Sequence, residues 1–332
     1  MSVDPQIQRL LDARAKLPAI ETLTITDARA LMAARDIPGM RKPAVAIVAE
    51  RVIDGPGGGL TLRIYTPPGV GPFPLMTFFH GGGFVLCSLD THDGLCRNLC
   101  VGAGCVVVSV DYRLAPEHKF PAGIDDCLAA TRWTVDYADA LHGDAQRLMV
   151  AGDSAGGNFA AVTALRVRDE GGPTLCGQML IYPVTDHYSA DTASMRENAA
   201  GYGLTRAAMG YYWDHYLNNA GEARHPLAAP LRASSLAGLP PTLLVTAQYD
   251  PLRDEGEHYG AALVRAGVTV TMKRWLDVNH GFFFFPGVVD SATAAVDEAS
   301  AWARAVFARC RRQTPIANGI LASTPATASR SD

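Results

Sequence analysis

The sequence has little of what membrane, secreted and nucleic-acid-binding proteins need. No stretch of its 332 residues approaches the roughly eighteen consecutive apolar residues of a membrane span. The first residues, MSVDPQIQRL, lack the basic segment and apolar core of a secretory signal. With 29 Lys and Arg against 33 Asp and Glu, the net charge is −4, and no basic stripe stands out. These absences predict a cytoplasmic protein with no membrane or nucleic-acid partner.

Signals for modification, metals and nucleotides are missing as well. The sequence contains no Asn-X-Ser/Thr site, no HExxH zinc motif and no GxxxxGK[ST] phosphate loop. Its seven cysteines are an odd number without CxxC spacing. That pattern predicts reduced, structural thiols and not a disulfide framework or a metal site.

What the sequence does have is a regular alternation of strand and helix patterns. The later strand patterns are almost continuously apolar, as strands buried on both faces of a sheet are. The strand patterns cover 44–52, 60–65, 74–79, 105–110, 147–152, 177–184, 241–248 and 269–275. Helical patterns cover 91–103, 123–141, 155–170, 253–266 and 290–311. The alternation predicts an α/β fold with a mostly parallel central sheet.

Three segments fall outside this alternation. Residues 1–43 read as two helices with no strand between them, and residues 187–226 are longer than a crossover between two strands requires. We expect both segments to form a helical cap over one end of a catalytic domain spanning 44–312. The last segment, 313–332, is rich in Ser, Thr, Ala and Pro, which predicts a disordered tail.

The pentapeptide GDSAG, residues 152–156, stands between a predicted strand and a predicted helix. A G-x-S-x-G sequence in that setting is typical of a nucleophile elbow, a strained turn that exposes the serine hydroxyl. The glycines are needed because the turn brings neighbouring chains too close for a Cβ atom. We therefore predict that Ser154 is a nucleophile.

Three glycines follow the strand MTFF and His80, in the stretch HGGGF, residues 80–84. Backbone N–H groups without side chains can approach a substrate oxygen closely and stabilise the oxyanion of an acyl-transfer intermediate. We predict that the donors belong to Gly82, Gly83 and Ala155, the last at the positive start of a helix. His80 precedes Ser154 in the chain, so we expect it to brace the loop and not to act as the base.

A carboxylate and a histidine follow the last two predicted strands. Asp250 lies just after the strand 241–248, and His280 lies in the loop after the strand 269–275. Because the carboxyl ends of parallel strands meet at one edge of a sheet, both side chains should lie near Ser154. Asp254 is the rival carboxylate, but its place on the following helix favours a capping or salt-bridge role.

Together these motifs resemble the α/β-hydrolase superfamily, and more narrowly the bacterial esterases similar to hormone-sensitive lipase. The resemblance spans about residues 45–310 and rests on five segments in the same order. They are HGGGF (80–84), DYRLAPEHKFPA (111–122), GDSAGGN (152–158), DPLRDEG (250–256) and HGF (280–282).

The resemblance implies an eight-stranded α/β-hydrolase sheet flanked by helices, a helical cap drawn partly from the N-terminus, and hydrolysis of short- to medium-chain esters. It implies that a small-molecule ester is the substrate and that the reaction uses no cofactor and no metal. Arg113 and Glu117 would brace the site structurally. The oligomeric state stays open, with a homodimer as one option.

Two alternatives to an esterase remain at this point, namely an amidase with the same triad and a non-catalytic receptor that binds a small molecule. Receptors of this kind typically lose a triad residue, and here all three are present. Bulky side chains of the cap and of the HGF motif are further candidates to enclose a substrate. We predict a pocket wall formed by Phe84, Met209, Tyr212, Trp213 and Phe282.

Overall fold

A computed structural model describes residues 2–34 and 38–313 of the chain. Its centre is one eight-stranded sheet in the order β1-β2-β4-β3-β5-β6-β7-β8. Strands β1 and β2 are antiparallel, β2 joins β4 antiparallel, and all other neighbours are parallel. The strands are β1 (Ile47–Gly55), β2 (Gly58–Thr66), β3 (Phe73–Phe79), β4 (Val106–Val110), β5 (Gly143–Asp153), β6 (Leu175–Ile181), β7 (Thr242–Tyr249) and β8 (Val270–Asn279). All eight predicted strands are present.

Helices cover both faces of this sheet. The inner strands therefore bury alternate side chains on opposite faces: in β3, Leu75 belongs to one apolar core, whereas Met76 and Phe78 belong to the other. The helices are α1 (Pro5–Arg14), α2 (Ile25–Ala33), α3 (Asp93–Ala103), α4 (Ala122–Asp136), α5 (Ala155–Glu170), α6 (Ala193–Glu197), α7 (Arg206–Tyr216), α8 (Arg253–Arg265) and α9 (Asp290–Gln313). None of these helices is both long and apolar enough to cross a membrane.

The N-terminal helices contact the segment inserted between β6 and β7. Thr205, at the start of α7, donates a hydrogen bond to Glu21 at 3.3 Å, and Tyr211 donates one to the carbonyl oxygen of Leu23 at 3.5 Å. These contacts join the two segments predicted to form a cap. The predicted disordered tail lies, after residue 313, outside the described residues.

One prediction about the cysteines is wrong. Cys176 of β6 and Cys310 of α9 form a disulfide, with their Cα atoms 6.1 Å apart. The two residues are 134 positions apart in the sequence, so no local spacing marks them as partners. Cys96, Cys100, Cys105 and Cys127 are buried free thiols, as predicted.

Candidate active site

Ser154 lies in the sharp turn between β5 and α5. Its backbone has φ +55° and ψ −118°, a region that non-glycine residues rarely adopt and that costs conformational energy. A Cβ at Gly152 would overlap the carbonyl of Gly156, and a Cβ at Gly156 would overlap the carbonyl of Phe79. Both glycines are therefore required by close backbone approach, as the sequence motif predicts.

The structure brings the three predicted catalytic side chains into one chain of hydrogen bonds. His280 Nε2 lies 2.9 Å from Ser154 Oγ, and His280 Nδ1 lies 2.7 Å from Asp250 Oδ2. Asp250 is fully buried, and its other oxygen accepts the N–H of Leu252 at 2.8 Å. This arrangement can move the serine proton onto the histidine while the carboxylate holds the imidazole in one tautomer.

The two rival residues have other partners. Asp254 accepts the N–H of Ser194 at 2.7 Å and pairs with Arg253 at 2.8 Å, so it has the capping and salt-bridge role expected for it. His80 contacts the carbonyl oxygen of Gly81 at 2.7 Å through Nδ1. Burial lowers the pKa of His80 to about 3, which keeps its ring neutral near pH 7. His80 therefore braces the glycine loop.

The glycine loop after β3 leaves backbone donors unused. Among the described residues, the N–H groups of Gly82, Gly83 and Ala155 donate to no other protein group. Gly82 and Gly83 have φ of +119° and +62°, which glycine adopts without steric cost. Ala155 is the first residue of α5, where the helix dipole adds positive potential. Free donors beside the serine hydroxyl are what an oxyanion requires.

Two residues that sequence reasoning missed hold this loop in place. The Gly81 N–H donates to Asp153 Oδ1 at 2.9 Å, and His92 Nε2 lies 3.1 Å from the same oxygen. Asp153 and His92 are both buried. The pair ties the glycine loop to the turn that carries Ser154. Asp153 lies inside the GDSAG motif and could have been found there, but His92 has no local signal.

Gly83 allows a direct test of the loop, because an added Cβ would overlap the Tyr212 ring. We expect Gly83→Ala to displace the loop and to lower kcat about a hundredfold, as losing an oxyanion donor does. Gly104→Ala is the matched control, since Gly104 has φ +63° and a Cβ added there would meet nothing within 4 Å. Steady-state kinetics that show equal kcat for the two variants would contradict this role for Gly83.

A cavity of about 150 Å³ opens above Ser154 and His280. Of the five predicted wall residues, only Tyr212 lines it. Phe84, Met209, Trp213 and Phe282 do not line this cavity; their side chains are buried in the apolar core. The wall is formed by α1, the segment between α1 and α2, α2, α7 and the loops after β3, after β8 and before α7. Its apolar side chains are Leu10, Leu11, Ile20, Met32, Cys87, Leu204, Tyr212, Phe284 and Phe285.

These four side chains pack inside the apolar cores of the protein instead. Phe84 stacks on Tyr216 with ring centres 4.0 Å apart, and Trp213 lies 5.4 Å from Phe84. Phe282 contacts Phe283 at 5.0 Å. A four-residue phenylalanine run signals apolar surface near His280, but the sequence could not tell which rings face the substrate side.

The predicted brace is also formed. Arg113 pairs with the buried Asp126 at 2.8 Å, and Glu117 pairs with Arg29 of α2 at 2.8 Å. Arg29 also donates to the carbonyl oxygen of Val85 at 2.9 Å. The brace therefore connects an N-terminal helix to the segment that follows the glycine loop.

Comparison with known proteins agrees with this fold and site. Residues 76–284 match a family described as having the alpha/beta hydrolase fold. Esterase LipI of Mycobacterium tuberculosis is 42% identical over 301 residues, 89% of this chain and 92% of that protein. Ethyl acetate hydrolase of Pseudomonas putida is 38% identical over 242 residues, 71% of this chain and 75% of that protein.

A solved structure is similar over almost the whole chain. An ester hydrolase from the metagenome of Lake Arreo, in complex with a bipyridine phosphonate derivative, is 39% identical, with a TM-score of 0.86 over 92% of this chain and 99% of that one. The chain belongs to the alpha/beta-hydrolase-fold family. These relatives confirm three predictions from the sequence. They are the α/β-hydrolase fold, membership among the esterases similar to hormone-sensitive lipase, and carboxylesterase activity.

Proposed function

We propose that the chain is a serine carboxylesterase in which Ser154, His280 and Asp250 form the catalytic triad. Ser154 Oγ attacks the ester carbonyl carbon while His280 Nε2 takes its proton, and Asp250 holds the imidazole through Nδ1. The oxyanion is stabilised by the N–H groups of Gly82, Gly83 and Ala155. The alcohol leaves with the proton from His280, which then activates water to release the acid.

One observation supports this proposal above the others, namely the pair of hydrogen bonds that links Ser154 through His280 to Asp250. A receptor built on this fold has no need of such a series of hydrogen bonds. An amidase would use the same geometry, so matched ester and anilide substrates with one acyl group separate the two activities. We expect hydrolysis of the ester to be far faster. A faster anilide would favour the amidase.

The positions of α1, α2 and α7 are evidence for a cap, because α1 and α2 line the cavity above Ser154 together with Tyr212 of α7. We propose that residues 1–43 and 187–226 form this cap over a catalytic domain of residues 44–312. A cytoplasmic location and a homodimer stay predictions from the sequence.

The small cavity supports a preference for short acyl chains. An apolar cavity of about 150 Å³ holds a molecule the size of benzene, which has six carbons. Each buried methylene contributes about 0.8 kcal/mol, or roughly fourfold in kcat/KM if the transition state holds it equally well. A chain that is too long meets the wall, where overpacking costs about 1–3 kcal/mol.

We therefore expect kcat/KM for p-nitrophenyl esters to rise by about tenfold or more from acetate to butyrate. It should peak between four and eight acyl carbons and fall sharply by twelve. The measurement is kcat/KM from two to sixteen carbons. A steady rise to sixteen carbons would show that this cavity does not hold the acyl chain.

A pair of half-buried leucines tests the wall itself. Leu204 lines the cavity, whereas Leu227 packs against the core away from it. Leu204→Ala should move the optimum toward longer acyl chains, because it removes apolar volume from the wall. Leu227→Ala should leave the position of the optimum unchanged. Trp213→Ala should also leave the position of the optimum unchanged, since Trp213 lines no part of this cavity.

A further inference from the structure

One charged side chain in the catalytic cavity has no role in the mechanism. Arg14, the last residue of α1, lines the same cavity as Ser154 and His280. It also lines an adjoining cavity of about 260 Å³, next to Leu204 and Tyr212. Most other side chains of the catalytic cavity are apolar, and the polar ones besides Arg14 are Asp153, Ser154, Asn279 and His280. Among the described lining residues, Arg14 is the one with a permanent positive charge.

Within the described part of the chain, the side chain of Arg14 has no hydrogen bond and no ion pair; its backbone oxygen accepts the N–H of Leu17 at 3.0 Å. It is only half-exposed, so part of its hydration is already lost. Burying an arginine without an acceptor is unfavourable, and a guanidinium recognises carboxylates through two parallel hydrogen bonds. A cation at the end of a helix also interacts with the helix dipole, but that role does not require the side chain to face the cavity.

The acidic groups nearby do not neutralise Arg14. Asp153 lines the cavity but is held by the N–H of Gly81 and by His92. Glu21 lines only the adjoining cavity, where it accepts a hydrogen bond from Thr205. Burial raises the pKa of the Tyr212 hydroxyl while Arg14 acts in the opposite direction, as expected for a positive charge beside this ring. Among the described residues, no acidic side chain is paired with Arg14, so a ligand in the cavity meets its positive charge.

We propose that Arg14 binds a carboxylate on the substrate, so that the preferred esters carry an ester at one end of a short chain and a carboxylate at the other. This inference rests on the proposed esterase function and names its substrate class. The reaction is ordinary hydrolysis: the acyl–oxygen bond breaks, water supplies the new oxygen of the acid, and a proton leaves on the alcohol. The cavity of about 150 Å³ suits a spacer of few carbons.

The test compares charged esters with neutral esters of similar length. Monomethyl adipate against methyl heptanoate places the carboxylate on the acyl side, and 4-butanoyloxybutanoate against pentyl butanoate places it on the alcohol side. Release of the products is followed by chromatography. We define the charged-to-neutral ratio as kcat/KM for the charged ester divided by kcat/KM for the neutral ester. For the pair whose carboxylate lies on the side that Arg14 faces, Arg14→Gln should lower this ratio about tenfold. That is the contribution of one charge-assisted hydrogen bond partly screened by water.

Arg9→Gln is the matched control, because Arg9 is an exposed arginine on the same helix. It removes the same charge and should leave the ratio unchanged. Arg14→Lys keeps the charge without the planar fork and should recover only part of the ratio. A ratio that Arg14→Gln leaves within twofold on both sides, or that Arg9→Gln lowers equally, overturns the proposal.

The two proposals fail in different ways. If the esterase function is wrong, the wild-type protein hydrolyses neither member of either pair, and the substrate class is overturned with it. If only the role of Arg14 is wrong, the neutral esters are hydrolysed and the ratio does not respond to Arg14→Gln.

Discussion

Replacing Ser154 with alanine is expected to lower kcat about a millionfold, because the triad acts as a unit and no other group can form the acyl-enzyme. The variant should fold, since among the described residues the removed hydroxyl hydrogen-bonds only to His280, at 2.9 Å. A phosphonate probe should label the wild-type protein at Ser154 and leave Ser154→Ala unlabelled. The measurements are turnover of p-nitrophenyl butyrate and mass spectrometry of the labelled protein.

The matched control is Ser235→Ala, which removes an exposed serine hydroxyl far along the sequence from the turn. It should retain both turnover and labelling. A Ser154→Ala protein that still takes up the probe would assign the nucleophile to another residue.

Asp250→Asn is expected to lower kcat about ten-thousandfold. The asparagine can still accept the N–H of Leu252 through its oxygen, which turns its NH₂ group toward His280 Nδ1. The imidazole must then carry its proton on Nε2, so it donates to Ser154 and cannot accept the serine proton. The loss therefore comes from the wrong tautomer and not from a change of fold.

Asp254→Asn is the control for this variant, because Asp254 contacts Ser194 and Arg253 and does not contact His280. We expect it to be at most several-fold slower. Stopped-flow or steady-state turnover of one ester, with thermal unfolding of both variants, makes the comparison. The opposite ranking would place the orienting carboxylate at Asp254.

The sheet could be predicted closely because its signals are local. Buried parallel strands are continuous apolar runs, and all eight were located to within a few residues. The main differences lie at strand ends: β8 continues to Asn279, beyond the predicted end at 275, which places His280 directly after the strand. Ends depend on pairing with a neighbour, here β7, and the sequence does not contain that information.

The positions of the triad followed from the same logic. Ser154, Asp250 and His280 each directly follow a strand, at β5, β7 and β8. Parallel strands end at one edge of the sheet, so chain order and fold class together bring these side chains near each other. The close backbone approach in the turn around Ser154 could also be predicted from the sequence. Glycine is required wherever a Cβ would overlap neighbouring backbone, as at Gly152 and Gly156.

Contacts between distant segments that do not meet at this edge of the sheet could not be predicted from the sequence. The sequence determined the fold class, the order of the motifs and the identity of the candidate catalytic residues, since each depends on a local pattern or on chain order. Only the tertiary structure decided which aromatic rings face the cavity, that α1 brings Arg14 to it, and that Cys176 meets Cys310. Side-chain direction is set by the elements packed around a residue, and those elements come from remote parts of the chain.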